Sequence, residues 1–177
     1  DQTFAGSNGS GILARVFDQS GAAVSEPFLA GTYSNDTVAS GNDPAIVQAG
    51  GDQFWVISNA QAAYGNNGLF RQLVDSGGTI QARQAVVYSE DFQVQGGAEV
   101  ATLADGKILV VWREYDADTA GNPRISAQLF NADFTPFAAK FEVAPVSSQG
   151  GFMQLAVTAT DNGGFAVINK LQNNTGN

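Results

Sequence analysis

The chain has 177 residues, of which 44% are hydrophobic and only 14% charged, with 17 acidic against 8 basic side chains and a net charge of −9. So much apolar material with so few charges excludes a disordered acidic tail, and scattered basic residues on an acidic background argue against nucleic acid or anionic membrane surfaces as partners. There is no Cys and no His, which removes disulfides, thiolate metal sites, the commonest general base and the commonest transition-metal ligand.

Read from its start, the chain alternates short apolar stretches with turn residues. ILARVFD at 12–18 runs into Asp18-Gln19-Ser20-Gly21 and returns at 24–28. Residues 45–49 then pass through Gly50-Gly51-Asp52 into 54–57. LFRQLVD at 69–75 repeats the first stretch, turns at Asp75-Ser76-Gly77-Gly78 and returns at 80–86. Residues 100–104 lead through Asp105-Gly106 into 108–112. ISAQLFN at 125–131 repeats the motif again, with the turn Asn131-Ala132-Asp133 and a return at 137–141. Last, 155–159 passes through Asp161-Asn162-Gly163-Gly164 into 165–168. Asx and Gly accept the positive φ of tight turns, so each pair predicts a β-hairpin.

The motif closes on Asp18, Asp75 and Asn131, at spacings of 57 (18 to 75) and 56 (75 to 131) residues. A single repeat array over 1–177 follows, with units at about 9–62, 66–118 and 122–173, each offering four strands in two hairpins. No segment carries a helical apolar stripe. The expectation is all-β: a β-propeller-type array of three four-stranded antiparallel blades. Tandem small β-sandwiches are the alternative, but each would need about seven strands. The closing strand of each unit is apolar on both faces, as neighbouring sheets on either side require. Three blades fall short of the roughly four to eight of known rings, so self-association or further blades in a longer parent chain is expected. No apolar run approaches bilayer length, so membrane insertion is not expected.

"ISAQLFNADFTPFAAKFEV" and "ADGKILVVW" resemble a recurring unit of very large secreted bacterial proteins, the RTX-type adhesins and exoproteins exported by type I secretion. In that unit a strand ending Ala-Gln-x-Phe-Asp is followed by Gly-x-Pro, Glu-Phe-x-Val and a second hairpin closing on Gly-Phe-Val-Val-Val-Trp. Trp112 holds the family's Trp position, whereas Ser58 and Asn169 stand there in the other units. The resemblance implies a propeller-like fold, a secreted or cell-surface location and a non-enzymatic role, and it carries no catalytic residues.

Candidate sites are few. Asp116, Asp118 and Asn122 form an Asp-x-Asp…Asn loop that supplies part of a calcium ligand set. It lacks a third carboxylate and a distal Glu, so a solvated acidic loop is the simpler reading, with calcium the one cofactor on offer. Trp55 and Trp112 sit in apolar strands and are expected to be buried between sheets rather than to stack sugars. Tyr33, Tyr64, Tyr88 and Tyr115 fall in expected loops, where a protein or glycan ligand would be met. Glu114 with Asp116, or Glu90 with Asp91, are the pairs from which glycoside chemistry could be built. Three functions follow in order of preference: a structural or adhesive module, a lectin-like carbohydrate-binding module, and a polysaccharide-acting enzyme with paired carboxylates.

Overall fold

The computed structural model describes residues 11–32, 44–61, 67–81, 84–89, 91–116, 123–146 and 154–170, and every regular element in them is a β-strand. In chain order these are β1 (Gly11–Ala14), β2 (Phe28–Thr32), β3 (Ala45–Gly50), β4 (Gln53–Gln61), β5 (Asn67–Asp75) and β6 (Gln84–Val87). They continue as β7 (Phe92–Thr102), β8 (Ile108–Asp116), β9 (Arg124–Phe130), β10 (Phe141–Pro145), β11 (Leu155–Ala159) and β12 (Phe165–Asn169). The all-β class expected from the sequence is the class adopted, as several small antiparallel sheets. Two have four strands, β3-β4-β5-β6 (sheet I) and β10-β9-β8-β7 (sheet II), and two are hairpins, β1-β2 and β11-β12. The described strands form no closed ring.

The sheets are out of phase with the sequence units. Sheet I joins the second hairpin of the first unit to the first hairpin of the second, and sheet II does the same one repeat later. Two four-stranded sheets therefore form in place of the three expected, neither of them within one sequence unit, with a half-sheet at each end of the array. The cause is the ladder between hairpins: β4 pairs with β5 over nine residues, from Gln53↔Asp75 to Gln61↔Asn67. β8 pairs with β9 in the same way, from Ile108↔Phe130 to Glu114↔Arg124.

Side chains close the turns. Asp75 Oδ1 accepts from the backbone N–H groups of Gly77 (3.0 Å) and Thr79 (2.8 Å), and Asp18 Oδ1 accepts from those of Ser20 and Ala22. Such Asx turns place the third residue after the Asp at positive φ, +84° at Gly21 and +85° at Gly78, a region glycine enters freely. In the third copy Phe134 stands there, at φ 64°. Beyond each turn the returning chain makes one isolated bridge, Phe17↔Ala23, Val74↔Ile80 or Phe130↔Pro136. It then rejoins the ladder later than the sequence suggested, at Phe28, Gln84 and Phe141. A register shift in each of these outer pairs, as between Leu69 and Phe70, absorbs the extra residues.

Alternation along the strands sends successive side chains to opposite faces, and three apolar layers stack the sheets. Ile12, Ala14 and Phe28 of the first hairpin meet Val56 and Val74 of sheet I. On its other face sheet I offers Val47, Ile57 and Leu69 to Ile108, Val110, Trp112 and Phe130 of sheet II. Leu109, Val111, Ile125 and Ala127 of sheet II then meet Leu155, Val157, Phe165 and Val167 of the last hairpin. Hence β8 is buried on both faces from Ile108 to Trp112, as neighbouring sheets on either side demand. Strand β12, in the end sheet, alternates between half-buried and exposed.

Candidate functional site

The densest polar constellation lies at the far end of β8. Val110, Trp112 and Glu114 share one face of that strand, so the face that packs on sheet I ends in a carboxylate. Glu114 is fully buried. Its Oε2 accepts from the Trp112 indole N–H at 2.7 Å. Its Oε1 accepts from Lys140 Nζ (2.6 Å), Arg124 Nε (2.9 Å) and Ser126 Oγ (3.0 Å). Strand β9 supplies Arg124 and Ser126 because the register puts them opposite Glu114 and Trp112. Lys140, on the segment leading into β10, also lies 3.9 Å from the centre of the Phe92 ring.

Burial is the largest single influence on the Glu114 carboxyl and works to raise its pKa. The Lys140, Trp112 and Arg124 donors together outweigh it, and the net shift is downward. A buried carboxylate with four donors is a satisfied structural charge, with no exposed oxygen for a substrate or an attacking water. Asp116, two residues on, accepts from Arg124 Nη1 at 2.7 Å. That bond is the largest influence on Arg124 and, joined by the Glu114 contact, raises its pKa against the opposing effect of burial. One guanidinium thus bridges both carboxylates suggested by the sequence as a catalytic pair.

A second constellation clamps sheet I to sheet II. The Arg71 guanidinium lies 4.3 Å from the Trp55 ring centre and 5.0 Å from that of Phe134. It donates to the Asp133 carbonyl and to Gln84 Oε1, each at 2.7 Å. Trp55 donates its indole N–H to the Ala132 carbonyl at 3.3 Å, so the β9–β10 turn is held on β4 and β5. Asn59 adds a further tie, donating to the Gly96 carbonyl at 2.9 Å where β7 bulges. Neither Arg71 nor Phe134 is among the candidate residues read from the sequence. The signal was the place of Phe134 in the third turn, three residues after Asn131, where Gly21 and Gly78 follow Asp18 and Asp75.

The remaining expectations fare differently. Tyr115 lies in β8 rather than in a loop, with its hydroxyl donating to Gln93 Oε1 at 3.0 Å. The strand runs past Trp112 because β7 and β9 supply partners as far as Asp116 and Glu114. Tyr88 does follow a strand, and its hydroxyl is buried with no hydrogen-bond partner among the described residues. Trp112 is fully buried, as expected, whereas Trp55 is only half-buried and packs at the margin of the core between sheets I and II. Tyr33, Tyr64, Glu90, Asp118 and Asn122 lie outside the described residues. Among the described residues no three acidic side chains converge as a metal site, and no helix is long and apolar enough to cross a membrane. No family model matches the chain, and neither does any curated protein or solved structure.

Proposed function

We propose that this chain is a non-enzymatic structural or adhesive module: a run of propeller-type blades in a secreted or cell-surface bacterial protein, presenting its loops to a protein or glycan. The observation that carries the reading is the state of Glu114. Glu114, one of the acids from which a carboxylate pair could be built, is sealed inside the array and saturated by four donors. The other concentrated polar group, around Arg71, ties one sheet to the next. Both use their chemistry for assembly. In the lectin alternative a sugar would need an open aromatic face, and the Trp55 ring is already covered by Arg71 and flanked edge-on by Phe134.

Two assays on the purified chain test the proposal. Reducing-sugar release from polysaccharides is expected to stay at background, and release that disappears with Asp116→Asn would overturn the non-enzymatic reading. A glycan array is expected to show no saturable binding of small glycans. Saturable binding lost on Tyr88→Ala would favour the lectin alternative instead.

A further inference from the structure

The two half-sheets are complementary, and we infer that they complete each other between two copies of the chain. Strand β12 of one copy would pair antiparallel with β1 of the next, giving a four-stranded antiparallel sheet β11-β12-β1-β2 like sheets I and II. The inference rests on the stacked-array reading of the fold, and on three observations.

The first is equivalence of position. The hairpin pairs Gln48↔Phe54, Thr102↔Ile108 and Ala159↔Phe165 make Phe54, Ile108 and Phe165 equivalent. The turn bridges make Phe17, Val74 and Phe130 equivalent. Inside the array Phe54 pairs with Val74 and Ile108 with Phe130. The residues left over at the two ends, Phe165 and Phe17, occupy the same two places in a ladder that no described strand makes.

The second is exposure. Ile168 is 69% exposed, although the equivalent Ile57 and Val111 are both 0%. Phe17 is 56% exposed, although Val74 and Phe130 are both 1%. The same repeat positions are core in the complete sheets and bare in the half-sheets. Nor are these edges blunted in the usual way. Neither β1 (GILA) nor β12 (FAVIN) contains a charge or a Pro, whereas β10 carries Glu142 and Pro145, and the β7 ladder is interrupted between Val94 and Ala98.

The third is a cavity of about 330 Å³ between the first hairpin and sheet I, lined by Arg15, Phe17, Phe28, Ile46, Phe54 and Val56 among others. Ile46, Phe54 and Val56 are the equivalents of Val100, Ile108 and Val110, which share a core with Ile57. They are also the equivalents of Val157, Phe165 and Val167, which share a core with Val111. The hollow is therefore floored by the residues that elsewhere receive the counterpart of Ile168. Seating β12 of a second copy beside β1 would bring Ile168 over it and cover Ile46, which is 60% exposed.

Among its described residues each copy carries three sheets' worth of strands, two complete sheets and two halves. Two copies bring six sheets together, within the roughly four to eight that rings of such sheets hold. The junction is head-to-tail, so two copies that close leave no unpaired hairpin.

The test is the mass of the native chain in solution, by sedimentation equilibrium. The expected result is a dimer at twice the 18.4 kDa chain mass, reduced to the single-chain mass by Ile168→Lys. Val24→Lys is expected to leave the dimer intact, because Val24 and its counterpart Phe137, each in the position after a turn bridge, are both exposed. Register is read by mixing Val16→Cys with Ala166→Cys chains, since their counterparts Leu73 and Leu129 face Trp55 and Leu109. Oxidation should give a disulfide between the two variants in this otherwise Cys-free chain. An unmodified chain that stays monomeric at high micromolar concentration would overturn the inference. So would a dimer that survives Ile168→Lys and forms no cross-link. Neither result bears on the glycan and hydrolysis assays, so the two proposals fail separately.

Discussion

The ring of Phe134 meets that of Trp55 edge-on, at 5.3 Å and 69°, and it does so from a backbone held at φ 64°. A side chain in the left-handed region costs about 1–2 kcal/mol. Here the chain tolerates that strain because the residue is buried between sheets, against Trp55, Phe130 and the Arg71 guanidinium. Local turn chemistry asks for glycine, and packing between sheets asks for an aromatic ring. Packing prevails.

Phe134→Ala should therefore lose the packing and keep the strain, destabilising the chain by about 3–5 kcal/mol. Phe134→Gly also loses the packing but relaxes the backbone, and should be less damaging by about 1 kcal/mol. Denaturant unfolding of the two variants beside the parent chain measures both. If Ala is tolerated as well as Gly, the strain assigned to this turn is absent.

Gly21 and Gly78 have nearly the same φ but different surroundings. A Cβ at Gly21 meets nothing within 4 Å, whereas at Gly78 it lies 3.0 Å from Phe28 Cγ. Gly21→Ala should incur the backbone term alone, about 1 kcal/mol. Gly78→Ala should exceed it by about 1–3 kcal/mol, because Phe28 must move off sheet I. Equal losses in thermal or denaturant unfolding would contradict the close packing of β2 on the turn after β5.

Removing the charge of Glu114 leaves Lys140 and Arg124 facing a neutral group in a buried site. Glu114→Gln should destabilise the chain by about 3–5 kcal/mol near neutral pH. The folded carboxyl titrates below its ordinary value of 4.5, so the unfolded chain takes up this proton first as pH falls. The stabilisation is complete above that ordinary value and is lost as pH drops through the lower folded one. The stability gap between parent and variant should accordingly narrow on acidification. A gap that stays constant across that range would show that the Glu114 charge does not stabilise the fold.

Trp112→Phe keeps an aromatic ring but deletes the one N–H donated to Glu114 Oε2. A loss of about 1–3 kcal/mol is expected, and it should shrink when Glu114 is already Gln. A double-mutant cycle in denaturant reads this coupling directly, and additive losses would place the two side chains in independent roles.

Much of the local structure is legible in the sequence. The turns Asp105-Gly106 and Asn162-Gly163 lie between paired strands, β7 with β8 and β11 with β12, and the burial of Trp112 follows from its apolar strand. What the sequence does not mark is phase. A repeat of fixed length is equally regular whether hairpins pair within a unit or across its boundary, and only the β4–β5 and β8–β9 ladders decide it. Glu114 is a related case. Spacing to Asp116 leaves a carboxylate pair open, while the two-residue step from Trp112, which puts both on one buried face, is the stronger signal. Tertiary contacts also set Phe134 in its strained turn, and no local propensity favours it there.

Pairing across the repeat boundary is the point on which the stack, the buried clusters and the junction between copies all depend. Trp55 and Leu73 face each other across β4 and β5, and Leu109 and Leu129 do so across β8 and β9. In antiparallel positions without mutual hydrogen bonds, Cα atoms are about 4.5 Å apart. An NMR spectrum of the uniformly labelled chain should therefore show strong Hα–Hα cross-peaks for both pairs. Absence of these peaks, with inter-strand peaks joining β2 to β3 and β6 to β7 in their place, would contradict the architecture described.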